Sequence, residues 1–87
     1  MNLQDFHPAV APMYRLQYEQ AQACWVLLYP EGMVRLNGPA GEILRLCDGQ
    51  RSTAQIVEEL QRRFGEADLR GDVCDFLGVA HERGWVC

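Results

Sequence analysis

Four cysteines, at positions 24, 47, 74 and 87, and two histidines, His7 and His81, are the residues of this chain best suited to metal binding or nucleophilic chemistry. A tetrahedral zinc site draws on ligands paired at short spacing, and the sequence contains no Cys-x-x-Cys pair. The thiols therefore read as buried or incidental side chains in a reducing compartment. Glu58 and Glu59 are adjacent on a helical segment, so their carboxylates diverge rather than converge on one substrate atom. Glu42, Asp48, Glu66, Asp72 and Asp75 lack the spacing of a metal loop and fit a solvated charged face. His81 falls near a helix C-terminus, where a cation meets the negative end of the dipole, with no nucleophile or ligand near it in sequence. Gly38, Gly41, Gly49 and Gly65 sit at helix ends or alone and make no phosphate-cradling loop. The residue types point away from an enzyme and imply no metal or cofactor.

The elements that must position any other site follow from periodicity. Residues 1–13 carry Pro8 and Pro12 among small residues and read as an irregular arm before a single domain spanning 14–87. Residues 14–18 alternate apolar with polar, residues 24–29 are apolar throughout, and residues 33–36 alternate again, which predicts three strands. Short connections make them an antiparallel meander with a central second strand. Pro30-Glu31-Gly32 is expected to close the second hairpin with Gly32 in the left-handed conformation.

From Asn37 onward the period becomes helical. The spacing predicts helices over 39–48, 52–64 and 68–83, the second opened by a capping box of Ser52 and Gln55. Their apolar stripes are Ala40, Ile43, Leu44 and Cys47, then Ile56, Val57, Leu60 and Phe64, then Leu69, Val73, Phe76, Leu77 and Ala80. Trp85 and Val86 are expected to fold back onto the core. The fold class is α+β, winged-helix-like, with the three-stranded sheet placed before the three helices.

Such a fold often binds DNA, so charge decides between its uses. The net charge is −4, Arg62-Arg63 is the strongest basic cluster, and the third helix carries Asp68, Asp72, Asp75 and Glu82. Nucleic-acid binding rests on neutralising several phosphates, which this surface would repel. The longest apolar run, Cys24 to Tyr29, is far short of the ~20 residues of a membrane span, and no signal peptide is visible, so a cytoplasmic protein is expected. The third strand remains as an edge with unpaired backbone groups. Such an edge either accepts an extended peptide or stands as a short twisted rim with no partner. Composition leaves both readings open.

The ordered set Leu27-Leu28-Tyr29-Pro30-Glu31-Gly32, Leu36-Asn37 with Ala40, Glu42, Ile43 and Leu44, Leu46-Cys47-Asp48-Gly49 with Arg51-Ser52-Thr53, Asp72-Val73 with Phe76-Leu77, and Gly84-Trp85 resembles the PQQ synthesis protein D (PqqD) family. Pro-Glu-Gly, then Leu-Asn, then Cys-Asp-Gly is its most specific part, and the resemblance runs from about Pro12 to Trp85. It implies a peptide recognition element that binds the PQQ precursor peptide as an added strand. It also implies presentation of that peptide to a radical S-adenosylmethionine enzyme, which cross-links a Glu and a Tyr. In the family the peptide lies between the third strand and the third helix. Carried over, the strand is Met33, Val34, Arg35 and Leu36, and the helix face comes from among Leu69, Val73, Phe76, Leu77 and Ala80. The alternatives are a winged-helix DNA-binding protein and a recognition domain for a different modified peptide. An open edge and a proline-bearing arm also invite a homodimer, by edge pairing or arm swap.

Overall fold

The computed structural model describes residues 6–65 and 68–87. Strands β1 (Arg15–Glu19), β2 (Cys24–Tyr29) and β3 (Gly32–Arg35) precede helices α1 (Gly38–Arg45), α2 (Thr53–Phe64) and α3 (Arg70–Glu82). The sheet is antiparallel in the order β1-β2-β3. This is the expected α+β architecture, with the sheet ahead of the helices.

Alternation along β2 gives the sheet two unlike faces. Trp25, Leu27 and Tyr29 share the face that meets the helices. Leu27 is fully buried in the core with Leu44, Ile56, Val73 and Leu77. Tyr18 and Leu16 lie beside Trp25 and Leu27 on the same face. Helix α1 lies so close that a Cβ at Gly41 would stand 2.3 Å from Cδ1 of Trp25. Only glycine lets the helix backbone rest on the indole. On the other face Val26 is fully buried, with Gln17 and Arg35 as its cross-strand neighbours.

Local chemistry explains where the helices begin. The Asn37 side chain accepts a 2.8 Å hydrogen bond from the Ala40 N–H at the start of α1. At α2 the Gln55 N–H donates to Ser52 Oγ (3.1 Å), while the Ser52 N–H donates to Gln55 Oε1 (2.8 Å), a reciprocal capping box.

Several expectations need correction. Gly32 is not left-handed: it pairs with Tyr29 inside β3, and Pro30-Glu31 alone form the loop. Proline presets the first turn torsion, so the turn closes without a positive φ. A positive φ falls instead on Ala23 (54°), in the loop between β1 and β2. Helix α1 ends at Arg45 rather than 48, because Leu46 and Cys47 donate to Ile43 and Leu44 in a tightened last turn. Helix α3 begins at Arg70 rather than 68, since the Arg70 N–H turns back to Asp68 Oδ1 (3.1 Å) in a local turn. Phe64, expected on the buried stripe of α2, is 51% exposed.

The stretch expected as an irregular arm is also tied down where it is described; residues 1–5 lie outside the described residues. Ala9 and Cys87 exchange two backbone hydrogen bonds (3.2 and 2.9 Å), and the Ala11 N–H donates to the Trp85 carbonyl (2.8 Å). On the arm's other side Val10 donates to Cys47 (3.3 Å), Gly49 to Pro8 (3.0 Å) and Thr53 to Phe6 (3.0 Å). Residues 6–11 thus run as a seam between 47–53 and 85–87. The Cys47-Asp48-Gly49 motif builds its receiving side. The buried Cys47 thiol donates to the Ile43 carbonyl (3.3 Å), and burial pushes its pKa up from 9.0 to about 12. The Asp48 carboxylate accepts the N–H of Gln50 and also that of Arg51, and the first of these bonds does most to hold its pKa below the usual carboxylate value. Gly49, at φ 79°, reverses the chain.

Candidate peptide-binding site

The pairing of β2 fixes which backbone groups of β3 are free. In an antiparallel ladder, residues alternate between pairs that exchange hydrogen bonds and pairs that do not. The Leu36 N–H donates to the Trp25 carbonyl at 2.9 Å, which sets the phase. Val34 then faces Leu27 and Gly32 faces Tyr29 in bonded pairs. Met33 and Arg35 turn their N–H and C=O groups away from β2. Among the described residues β3 has no strand partner other than β2. The same phase leaves Leu16 and Tyr18 facing outward at the opposite edge, on β1.

The nine residues singled out from the sequence fall into three environments. Met33 and Arg35 are exposed. Val34, Leu69 and Phe76 are half-buried and pack against the core from its margin. Leu36, Val73, Leu77 and Ala80 are buried within the core itself. Phe76 is held by Trp85, their ring centroids 6.5 Å apart.

Sequence periodicity missed Val79, which is 44% exposed on α3. The spacing Leu69, Asp72, Phe76, Val79 steps by three, four and three residues, so these side chains share one flank of the helix beside its buried stripe. An apolar residue just off a core stripe was the available signal.

Also unforeseen is a cleft of about 820 Å³. One wall comes from the sheet, with Tyr18, Cys24 and Trp25; another comes from Pro39 and Ile43 of α1. The far side is Leu60 and Phe64 of α2 with Val73 of α3 and Leu69, which caps that helix. Tyr18 stands edge-on to Trp25 at 5.3 Å. Among the described residues the charged groups lining it are Glu42, which is bonded by Arg45 at 2.8 Å and lies 3.9 Å from Arg63, then Arg63 itself, and Asp72. Gly38 and Pro39, which also line the cleft, follow β3 after Leu36 and Asn37. Among the described residues, no three His, Cys, Asp or Glu side chains gather as a metal site, and no helix is long and apolar enough to cross a membrane.

Comparison with known proteins gives the same direction. The family model for coenzyme PQQ synthesis protein D matches residues 24–86. A protein of Pseudomonas paraeruginosa described as PqqA binding protein is 51% identical over 83 residues, covering 94% of this chain and 90% of that protein. Its counterpart in Azotobacter vinelandii is 52% identical over 80 residues, covering 91% of this chain and 87% of its own length. Among solved structures, the solution NMR structure of the PqqD truncation of Methylobacterium extorquens PqqCD superposes with a TM-score of 0.70 at 28% identity. It covers 92% of this chain and 87% of that one, and is described as a functional, stand-alone recognition element for ribosomally synthesized and post-translationally modified peptides. Matched over most of its length in sequence and in fold, the chain belongs to the coenzyme PQQ synthesis protein D family.

Proposed function

We propose that this chain is an accessory protein of PQQ biosynthesis that captures the precursor peptide as a fourth strand on β3. The carrying observation is the outward-facing backbone of Met33 and Arg35, which offers two donors and two acceptors on an edge with no other strand partner among the described residues. A guest strand would bond to those groups, and its alternate side chains would rest against Val34 and the Leu69, Phe76 and Val79 flank. Leu36, Val73, Leu77 and Ala80 then act from below, as the packed base that keeps strand and helix rigid. The PqqA-binding role of the curated relatives supports the reading. A few backbone bonds at about 0.5–1.5 kcal/mol each, with apolar contacts, offset the association cost and give a Kd on the order of micromolar.

In this reading the protein performs no reaction. It works in the cytoplasm and hands the peptide to a radical S-adenosylmethionine enzyme that joins a Glu to a Tyr. Without peptide, the same edge pairs two copies of the chain.

Titration of ¹⁵N-labelled protein with the synthetic PQQ precursor peptide tests the reading. The Met33 and Arg35 amides, whose N–H groups become bonded, should move most, while Leu16 on the β1 edge stays in place. Movement at β1 or α2 with a silent β3 overturns it. Sedimentation of the free protein at micromolar concentration checks the pairing of copies, which a strictly monomeric mass rules out.

A further inference from the structure

We infer that the Trp25 cleft is a second compartment of the peptide site, and that it takes an apolar segment of the same peptide beside a basic residue. The inference rests on the proposed strand addition and goes beyond it. A guest paired along four residues of β3 needs only the strand edge and a shallow flank. The cleft, at about 820 Å³, is instead of a size that holds a whole drug-sized ligand, on the order of 300–1,000 Å³.

Position and charge both indicate the same occupant. The cleft lies at the end of the sheet where β3 leads into α1: Trp25 bonds to Leu36, Gly38 and Pro39 form part of its wall, and its strand residues belong to β1 and β2. A peptide that leaves the strand edge at Leu36 and follows the chain toward α1 would approach the cleft from its Gly38–Pro39 wall. The Tyr18 and Phe64 rings, 47% and 51% exposed, are both lining groups, so apolar surface is left open to water there. The carboxylates on the rim differ in their pairing. Glu42 is bonded to Arg45 and faces Arg63, whereas Asp72, exposed in the first turn of α3, has no ion-pair partner among the described residues. An incoming cation would complete that rim, and a chain of net charge −4 favours a basic guest.

The test uses the full-length protein with the synthetic PQQ precursor peptide, reading the Trp25 indole N–H together with the Met33 and Arg35 amides. All three signals should move with one Kd. Phe64→Ala, at an exposed site, and Asp72→Arg should each weaken binding about five- to tenfold, yet at saturation still show the Met33 and Arg35 shifts. Far-ultraviolet circular dichroism of both variants confirms that they fold. If Met33 and Arg35 move while the indole does not, and both variants bind like the parent, the cleft inference is overturned and strand addition stands. If the indole moves and β3 is silent, the cleft binds peptide on its own; strand addition fails, and with it the idea of one continuous site.

Discussion

Two stretches of extended backbone meet opposite fates in this small protein. The arm of residues 6–11 is bonded on both sides, to 47–53 and to 85–87, by six backbone hydrogen bonds from Ala9, Val10, Ala11, Gly49, Thr53 and Cys87. Strand β3 is bonded on one side and, among the described residues, has no partner on the other, at Met33 and Arg35. Buried polar backbone must find partners, so the arm is a closed structural seam, whereas the outer side of β3 has no strand partner among the described residues and is the side proposed to take a guest. The motifs divide in the same way. Cys47-Asp48-Gly49 serves the seam, while Tyr29-Pro30-Glu31-Gly32 and Leu36-Asn37 bracket the edge.

Removing the seam is the largest way to test that contrast. A chain starting at Pro12 loses all six bonds, each worth about 0.5–1.5 kcal/mol, and should lose roughly 3 kcal/mol or more of stability in urea unfolding. Peptide affinity measured on the fraction that stays folded should hardly change. A truncated chain as stable as the parent would show that the arm is no more structural than the edge.

Paired proline substitutions sharpen the edge itself. At Val34 the N–H faces β2, so Val34→Pro removes a ladder bond, leaves the facing carbonyl unpaired and should cost about 1–3 kcal/mol of stability. At Met33 the N–H faces out, so Met33→Pro should cost under about 1 kcal/mol yet weaken peptide binding roughly tenfold. Equal effects of the two on stability would mean that the phase of the ladder has been misassigned.

Gly41→Ala probes the support shared by both regions. The added methyl meets the Trp25 ring at 2.3 Å, and overpacking of this kind costs about 1–3 kcal/mol. For a domain of this size each kcal/mol lowers the melting temperature by about 4–8 °C.

The smallest effect lies in alkaline solution. Cys47 has its pKa raised to about 12 in the folded chain, against 9.0 for an ordinary thiol. The folded state therefore holds that proton after the unfolded chain has released it. The stabilisation is whole below pH 9 and declines as pH rises toward 12, by about 1 kcal/mol at pH 10. Cys47→Ala should flatten that part of the stability profile, and exposed Cys87 should alkylate well before Cys47. A profile unchanged by Cys47→Ala would place the thiol outside the seam's protected interior.

Much of this was legible in the residues. Alternation marked the strands, and the 3.6-residue stripes marked helices whose Ile43, Leu44, Ile56, Val57, Val73 and Leu77 are indeed buried. The resemblance carried by Pro-Glu-Gly and Cys-Asp-Gly pointed to the family. Yet the stripe of α3 could not tell core from margin. Val73 and Leu77 are sealed in while Phe76 and Val79 lie at the rim, because that boundary depends on what packs against the helix. Gly41 looked like an isolated glycine until Trp25, on β2, was brought beneath it.

By itself the sequence determined the elements, their order and the family, since each rests on near-neighbour periodicity, capping and turn chemistry. Only the tertiary structure decided which N–H groups of β3 face outward, where the arm is bonded, and that Trp25, Pro39, Phe64 and Leu69 bound one cleft. Those facts depend on register and on contacts between residues far apart along the chain, and no local pattern encodes a relation between segments that meet only when the core closes.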